Sequence, residues 1–420
     1  MEHDLSGDGE PRRRPRRHLI VLLDGTGVTA SNVTPGKRHS NIYKLNLALA
    51  NHNKDLEAQI AFYIPGIGAA IDPSLNLAPA LVSRALGFGL MGDVEQAYIN
   101  ICSNYFPGVA GSPRDRIYLF GFSRGALVAR LVASLISKFG LLRADRLGRF
   151  ADLWGAFLEP DKPHNLGALL TTGVHGNIAI DFLGVFDTVM GTYTGSYAKA
   201  LTDHVSENTT LPLRVTRALH LLALNETRVH FQCEPWTGLE PGEREKSRSG
   251  TTLEQIWMPG AHTDVGGGYR EDFLSKVALL TMLDRVAEET DLKIRPKYRR
   301  KLESEILAVL QDDGSPHITI NKETQLIWAA AQTVADGWRV PQSKSQGYEW
   351  LHPICRVMHD KQIRRRGYKG YQTYVYPGPI VPEAPAVRFV ASLLPQLQKI
   401  IGADAAASGA TSQERPVADA

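Results

Sequence analysis

The chain has 420 residues, a formal net charge of +3, 43% hydrophobic residues and 22% charged residues. This length and composition can bury a substantial core in one large domain, whereas a charge so close to neutral gives no support for nucleic-acid binding. No uninterrupted apolar stretch is long enough to span a membrane. The three cysteines are far apart and odd in number, which is typical of reduced thiols rather than of a disulfide framework.

The N-terminal residues 1–17 are predicted to be a disordered basic tail. They contain five arginines, but prolines interrupt the cluster, and neither an apolar segment nor a cleavage site of a secretory signal precedes the first strand. We therefore expect a protein that is cytoplasmic as synthesised and whose export, where it occurs, uses a signal-independent route. At the other end, the small and polar residues 403–420 are also predicted to be disordered.

The first predicted strand, residues 18–23, is apolar and ends at a loop with the sequence DGTG. An Asp-Gly turn is the plain interpretation of this loop. An aspartate used in phosphate transfer is an alternative, although such an aspartate normally has a second carboxylate two residues later, where this chain has Thr26. Residues 64–92, rich in glycine, alanine, leucine and proline, are either a lid or an acyl-chain wall near a binding site, or an ordinary loop and helix packed on the sheet.

The sequence GFSRG at residues 121–125 fits the pattern Gly-x-Ser-x-Gly. It follows a short apolar, β-branched and aromatic run at residues 116–120, typical of a buried strand, and precedes apolar residues with helical spacing that end at Gly140. A strand, a sharp turn with serine at its tip and a helix form the nucleophile elbow of α/β-hydrolases, where Gly121 and Gly125 avoid steric clashes. Ser123 is therefore the predicted nucleophile, and a purely structural turn is the alternative.

A nucleophilic serine needs a base and an acid that orients the base, and in this fold the acid and then the histidine follow the serine along the chain. The apolar run at residues 178–186 ends at Asp187, at the carboxyl end of a predicted strand, where open α/β sheets hold their sites. Another strand, predicted at residues 254–258, leads into a glycine-rich loop that contains His262. We predict Asp187 as the acid and His262 as the base.

Two residues are alternatives to this assignment. Asp264 is a rival acid, but it lies two residues from His262 and is better placed to brace the loop by accepting hydrogen bonds from backbone N–H groups. His352, in the sequence WLHP, is a rival base, but no glycine-rich loop surrounds it.

The oxyanion of an acyl-transfer reaction needs N–H donors. One donor is predicted to be the backbone N–H of Arg124, at the positive end of the helix after the serine. The backbone N–H groups of Gly25 and Thr26 are predicted to donate as well, with Asp24 holding that loop through its carboxylate.

These patterns predict an α/β-hydrolase fold over residues 18–400, with a mostly parallel sheet flanked by helices. Mixed helical and loop patterns at residues 201–252 and 291–347 are predicted to be cap-like insertions, together with residues 64–92. No metal-binding spacing or cofactor loop is recognisable, since the glycines at 266–268 lack the strand-then-helix placement of a dinucleotide site. We therefore expect no metal and no cofactor.

Six segments in this order resemble the α/β-hydrolase domain of the type VI secretion lipase effectors of the first class, which also occurs in bacterial and fungal proteins of unknown function. The segments are LLDGTG at 22–27, LFGFSRGA at 119–126, GVFDTV at 184–189, HLLALNETRVHF at 220–231, MPGAHTDVGGGY at 258–269 and LHPICR at 351–356. In that family the serine of GFSRG, the aspartate of DTV and the histidine of the glycine-rich motif form the catalytic triad. The resemblance therefore implies the same three residues, Ser123, Asp187 and His262.

The resemblance implies a serine ester hydrolase that acts on lipids, with a phospholipid as the expected substrate. It also implies peripheral contact with a membrane and an immunity or carrier protein as partners. Family members with phospholipase activity are longer and carry an added membrane-binding region, whereas this chain ends near the end of the hydrolase domain. The alternatives are an esterase of small soluble esters and a non-catalytic binding protein on the same fold.

Overall fold

The computed structural model describes residues 14–26, 28, 38–66, 79–190, 210–228, 231–239, 251–310, 318–321, 339, 349–358, 362–365 and 371–373. The predicted tail at 403–420 and all but the last four residues of the predicted tail at 1–17 lie outside this set. The same holds for parts of the predicted insertions, including 67–78, 201–209, 240–250 and 322–338. The domain boundaries therefore remain predictions from the sequence.

The strands, in chain order, are β1 (Arg17–Leu23), β2 (Ala58–Ile64), β3 (Arg116–Phe122), β4 (Leu141–Leu142), β5 (Val174–His175), β6 (Phe182–Phe186), β7 (Arg217–Ala223), β8 (Thr252–Met258), β9 (Thr319–Ile320), β10 (Glu349–Leu351), β11 (Gln362–Arg365) and β12 (Tyr371–Thr373). The helices are α1 (Asn41–Ala48), α2 (Pro79–Asn104), α3 (Arg124–Phe139), α4 (Phe150–Leu158), α5 (Gly167–Thr172), α6 (His262–Gly266), α7 (Phe273–Glu289), α8 (Pro296–Leu310) and α9 (Ile354–Met358).

Seven strands form the central sheet in the order β10-β8-β7-β6-β3-β1-β2, and each neighbouring pair is parallel. Strands of a parallel sheet are covered by helices on both faces and so are apolar throughout rather than alternating. In β6, for example, all five residues are buried. The predicted α/β-hydrolase fold with a mostly parallel sheet is confirmed.

Side chains of β1 show how the sheet separates two cores, because successive side chains of a strand point to opposite faces. Leu19, Val21 and Leu23 belong to a buried cluster that includes residues of α2, α3 and α4. Ile20 and Leu22 belong to a second cluster that includes residues of α1, α7 and α8. With helices packed on both faces, the sheet is a rigid support for the loops at the carboxyl ends of its strands.

Several predicted strand limits differ from the structure. The strand predicted at residues 116–120 continues to Phe122, and the strand predicted at 254–258 begins at Thr252. The first strand begins at Arg17, inside the predicted tail, where the Arg17 Nη2 lies 2.6 Å from the Asp115 Oδ2.

Within the apolar run at residues 178–186, Asp181 is expected to mark the start of the strand or to pair with backbone. The strand begins at Phe182, directly after Asp181, whose carboxylate accepts hydrogen bonds from Arg114 and from the Ile117 N–H. Among the helices of the described residues, none is both long and apolar enough to cross a membrane.

Candidate active site

Ser123 occupies a strained turn between β3 and α3, as predicted for a nucleophile elbow. Its backbone has a φ of +59°, which is rare for a residue with a side chain and is characteristic of functional turns. A Cβ on Gly121 would lie 2.4 Å from the Gly125 carbonyl oxygen. A Cβ on Gly125 would lie 2.4 Å from the carbonyl oxygens of Leu23 and Asp24. Glycine is therefore required at both positions, and the loop after β1 lies directly against the elbow.

The structure brings Ser123, His262 and Asp187 into one hydrogen-bonded chain. The His262 Nε2 lies 2.8 Å from the Ser123 Oγ, and the His262 Nδ1 lies 2.6 Å from the Asp187 Oδ2. Because a carboxylate accepts hydrogen bonds, the proton of the neutral ring belongs on Nδ1, which leaves Nε2 to accept from the serine hydroxyl. This is the arrangement in which a serine hydroxyl is activated as a nucleophile.

Adjacent strands of the sheet explain why these residues meet. Ser123 follows β3 and Asp187 follows β6, its neighbour, while His262 opens α6 shortly after β8. The Ser123 N–H donates to the Phe186 carbonyl oxygen at 3.0 Å, and the Asp187 N–H donates to the Leu221 carbonyl oxygen at 2.7 Å. Parallel strands end at the same edge of a sheet, so residues far apart in the sequence converge there.

The second oxygen of the Asp187 carboxylate is also fully engaged. Its Oδ1 accepts hydrogen bonds from the Ala223 N–H at 2.9 Å and from the Arg339 Nη1 at 2.6 Å. Burial alone would raise the pKa of Asp187, but the Arg339 charge and the hydrogen bonds from His262 and Arg339 outweigh burial and hold this pKa well below its usual range. Asp187 is thus an anion held in one orientation, with its Oδ1 bound to Ala223 and Arg339 and its Oδ2 facing the His262 Nδ1.

The His262 ring contacts two phenylalanine rings. Its centroid is 4.8 Å from that of Phe122 and 5.1 Å from that of Phe231. The Arg228 guanidinium lies over the Phe231 ring, 3.4 Å from its centroid. A buried ion pair of 2.8 Å joins Arg228 to Glu226. Glu226 also accepts the His262 backbone N–H at 3.2 Å. With these contacts His262 is buried.

Asp24 holds the loop after β1 through three hydrogen bonds. Its Oδ2 accepts from the Ser40 hydroxyl at 2.6 Å and from the Tyr63 hydroxyl at 2.7 Å, and its Oδ1 accepts from the Gly25 N–H at 2.7 Å. Burial raises the pKa of Asp24, and these hydrogen bonds act in the opposite direction. Because its N–H is used inside the loop, Gly25 is not supported as an oxyanion donor. Thr26 remains the candidate from this loop.

Arg124 begins α3 immediately after Ser123, so its backbone N–H belongs to the first turn of the helix. The positive end of a helix of 16 residues at this point favours an oxyanion. The position of Arg124 is therefore compatible with its predicted role.

Asp264 accepts hydrogen bonds that brace the loop, and it does not face the Nδ1 of His262. Its Oδ2 accepts from the Ala261 N–H at 3.0 Å and from the Asn321 N–H at 2.9 Å, while its Oδ1 accepts from the Asn321 side chain at 2.7 Å. Burial raises the pKa of Asp264 to about 7, partly offset by these hydrogen bonds. Asp187 occupies the position that an orienting acid needs.

His352 is buried away from Ser123 and has its own partners. Its Nδ1 accepts from the Ile354 N–H at 3.0 Å, and its Nε2 lies 3.1 Å from the Thr281 Oγ1. Burial, with a smaller effect of the Arg285 charge, lowers the pKa of His352 to about 3. The structure thus gives His352 a place in the core rather than in the candidate active site.

Replacing His352 by Gln is expected to flatten the pH dependence of stability. The folded protein keeps His352 neutral below its ordinary pKa of 6.5, where the unfolded chain binds a proton, so stability is lost as the pH falls from 6.5 towards 3. One such proton contributes a slope of about 1.4 kcal/mol per pH unit in the free energy of unfolding. Denaturant unfolding of both proteins between pH 4.5 and 6.5 measures this slope. Equal slopes would contradict a neutral buried His352, and replacing the exposed His52 by Gln is the control.

A family model decides the relationship of this chain to known proteins. The model describes the catalytic domain of Tle1-like phospholipase effectors of the type VI secretion system, and it matches residues 17–285, more than half of the chain. This chain belongs to the Tle1-like phospholipase effector family. The resemblance predicted from the sequence motifs is confirmed, and the chain carries a catalytic domain of phospholipase-effector type.

Individual relatives of this Tle1-like domain match only parts of their own length. An uncharacterised protein of Saccharomyces cerevisiae is 29% identical over 236 residues, which cover 51% of this chain and 32% of the yeast protein. An uncharacterised protein from Pseudomonas aeruginosa is 20% identical, with a TM-score of 0.40, over 70% of this chain and 49% of that chain. The Tle1 effector bound to the VgrG spike is 22% identical, with a TM-score of 0.32, over 64% of this chain and 56% of that chain.

Several residues of the Tle1-like site escape prediction from the sequence. Arg339 lies beyond the matched residues and contacts Asp187 without any local motif to mark it. Glu226 and Arg228 lie within the segment HLLALNETRVHF, so the motif marks their region. It does not mark the hydrogen bond of Glu226 to His262 or the contact of Arg228 with Phe231. Within the described part of the chain, no group of three or more His, Cys, Asp or Glu residues is arranged to hold a metal ion.

Proposed function

We propose that this chain is a serine hydrolase that cleaves carboxylic ester bonds of lipids. The observation that carries the proposal is the chain of hydrogen bonds from the Ser123 Oγ through the His262 ring to Asp187, of 2.8 and 2.6 Å, at a strained elbow. Membership of a phospholipase-effector family supports lipid esters as the substrate class.

In the proposed reaction the Ser123 Oγ attacks the ester carbonyl carbon while the His262 Nε2 takes the hydroxyl proton. The C–O bond to the alcohol then breaks, and His262 gives its proton to the departing oxygen, which leaves an acyl group on the serine. Water attacks this acyl-enzyme with His262 again as the base, releasing the fatty acid and restoring the serine hydroxyl. Asp187 stabilises the imidazolium that forms in each half of the cycle.

The developing negative charge on the carbonyl oxygen needs fixed donors. We assign the backbone N–H groups of Arg124 and Thr26 to this role, because α3 starts at Arg124 and Gly125 packs against the loop that carries Thr26. Donors that are held in place before the reaction stabilise the transition state without reorganisation; losing one typically costs about 10²- to 10³-fold in kcat. Asp24 would then act on catalysis indirectly, by holding the loop.

A phospholipid is the proposed substrate, and membrane contact and a carrier or immunity protein are proposed with it from the family. The apolar segment at residues 64–92 is the proposed wall for the acyl chain, but its residues 67–78 lie outside the described part of the chain. The substrate proposal therefore rests on the family and is best tested with substrates of graded length.

Activity is expected to rise with the length of the acyl chain. Each buried methylene contributes about 0.8 kcal/mol, so eight additional carbons are worth several kcal/mol of binding. Hydrolysis of p-nitrophenyl esters of two to sixteen carbons measures this trend, followed by vesicles of neutral or anionic phospholipid, with Ser123→Ala as the control. A preference for the shortest esters without vesicle hydrolysis would indicate a soluble esterase. Binding without hydrolysis of any ester would indicate a non-catalytic protein.

A further inference from the structure

Arg339 binds the proposed catalytic acid from a part of the chain that the family model does not match. Its Nη1 donates to the Asp187 Oδ1 at 2.6 Å and to the Ala223 carbonyl oxygen at 3.0 Å, and its Nη2 donates to the Phe231 carbonyl oxygen. The guanidinium thus joins the carboxylate, the end of β7 and the loop whose phenylalanine covers the His262 ring. The carboxylate and this loop contact His262 directly, and the end of β7 is linked to it through Asp187.

Burying the Arg339 charge costs free energy because the guanidinium loses its hydration, which indicates that Arg339 does more than stabilise the fold. Arg339 is only 8% exposed, and its Nε has no hydrogen-bond partner among the described residues. A buried ion pair often adds little net stability because both charges lose their hydration. Arg339 leaves its Nε–H without a partner among the described residues, yet its Nη1 donates to Asp187, the proposed acid that orients His262. This geometry is suited to positioning the carboxylate.

We propose that Arg339 is a positioning residue of the active site, which fixes the Asp187 carboxylate towards His262. This inference rests on the proposed function of Ser123, His262 and Asp187. It also extends the catalytic unit beyond residue 285, where the family match ends.

The expected direction follows from the charges around His262. The groups that surround it are Asp187 after β6, Glu226 and Arg228 after β7, and Asp264 on its own helix, with His220 and Cys233 close to Asp187 and Arg339. Arg339 is a cation on the far side of the carboxylate, so it opposes the attraction of Asp187 for an imidazolium. When the Arg339 charge is removed, no cation on that side opposes the attraction of Asp187 for an imidazolium. Protonated His262 is then favoured at a given pH.

The test compares Arg339→Met, Arg339→Gln and Arg339→Lys with the unmodified full chain. The two neutral variants are expected to move the acidic limb of the kcat/KM profile upward by about one pH unit, since a charge a few ångströms away has an effect of this order. Their kcat is expected to fall by about 10²-fold with little change in KM, the usual size for a misplaced catalytic group. Arg339→Lys keeps the charge and is expected to leave the limb in place. If the methionine variant does not fold, the glutamine variant answers the same question.

Arg285 supplies a matched control, because its buried guanidinium also lies 2.6 Å from a carboxylate, that of Glu254. Arg285→Met is expected to lower stability without moving the pH profile. If Arg339→Met lowers stability in the same way and leaves the profile unmoved, Arg339 is only structural and the proposal is wrong.

A second measurement separates this proposal from the proposed function. The imidazole resonances of His262, followed by NMR against pH, report its protonation without turnover. An upward shift in Arg339→Met supports the positioning role even if the unmodified chain hydrolyses no ester. An unmoved titration in an otherwise active enzyme overturns the positioning role and leaves the hydrolase intact.

Discussion

Ser123→Ala is expected to abolish ester hydrolysis, with kcat lowered by about 10⁶-fold, the typical effect of removing the serine of such a triad. The thermal midpoint is expected to change little, because alanine keeps a Cβ and experiences the same strained φ of +59° as serine. The hydroxyl that is lost is joined to the His262 Nε2 by a hydrogen bond of 2.8 Å. The measurement is the initial rate of ester hydrolysis beside a thermal unfolding curve.

Ser134 provides the control for this substitution, since it lies on the same helix α3 and is partly exposed. Ser134→Ala is expected to retain the activity of the unmodified chain. Full activity in Ser123→Ala would remove the serine from the mechanism and leave the elbow as a structural turn.

Asp187→Asn is expected to lower kcat by about 10⁴-fold. The asparagine amide can donate a hydrogen bond to the His262 Nδ1, which then holds the ring in the tautomer that cannot accept the serine proton. Stability is also expected to fall, by about 3–5 kcal/mol, because the buried Arg339 loses the carboxylate that lies 2.6 Å from its Nη1. Rates are therefore measured at temperatures where circular dichroism shows the variant to be folded.

Asp264→Asn separates the two acids near the histidine. Burial already raises the pKa of Asp264 to about 7, so a neutral side chain at this position is close to a state that the folded protein populates. We expect a much smaller loss of kcat than in Asp187→Asn, together with a looser connection to Asn321. A larger loss of kcat in Asp264→Asn than in Asp187→Asn would move the acid to Asp264.

The sequence predicts those parts of the site that depend on a short local pattern of residues. The elbow is a strand, a glycine-flanked turn and a helix within one continuous segment, and the observed β3 and α3 surround Ser123 as expected. Asp187 and His262 could be placed because both follow apolar strands, and parallel strands bring such ends to one edge. The geometry thus agrees with the predicted positions, while the catalytic roles remain predictions.

Contacts made across the fold could not be predicted in this way. The Gly25 N–H was expected to face an oxyanion, but the carboxylate of the preceding Asp24 accepts it, a choice that depends on side-chain rotamer rather than sequence. Arg339 and Asn321 reach Asp187 and Asp264 from the C-terminal part of the chain, 152 and 57 residues away. The tertiary fold brings these residues to their partners, and no local sequence spacing marks them.

Labelling of the unmodified chain with a fluorophosphonate, followed by peptide mass spectrometry, shows whether Ser123 is an activated nucleophile. An activated serine attacks the phosphorus of this probe, whereas ordinary hydroxyls do not. We expect a single adduct on Ser123 that forms in the folded protein and does not form when the chain is unfolded before the probe is added. A folded protein that takes up no probe, or that carries the adduct on another residue, would contradict this expectation.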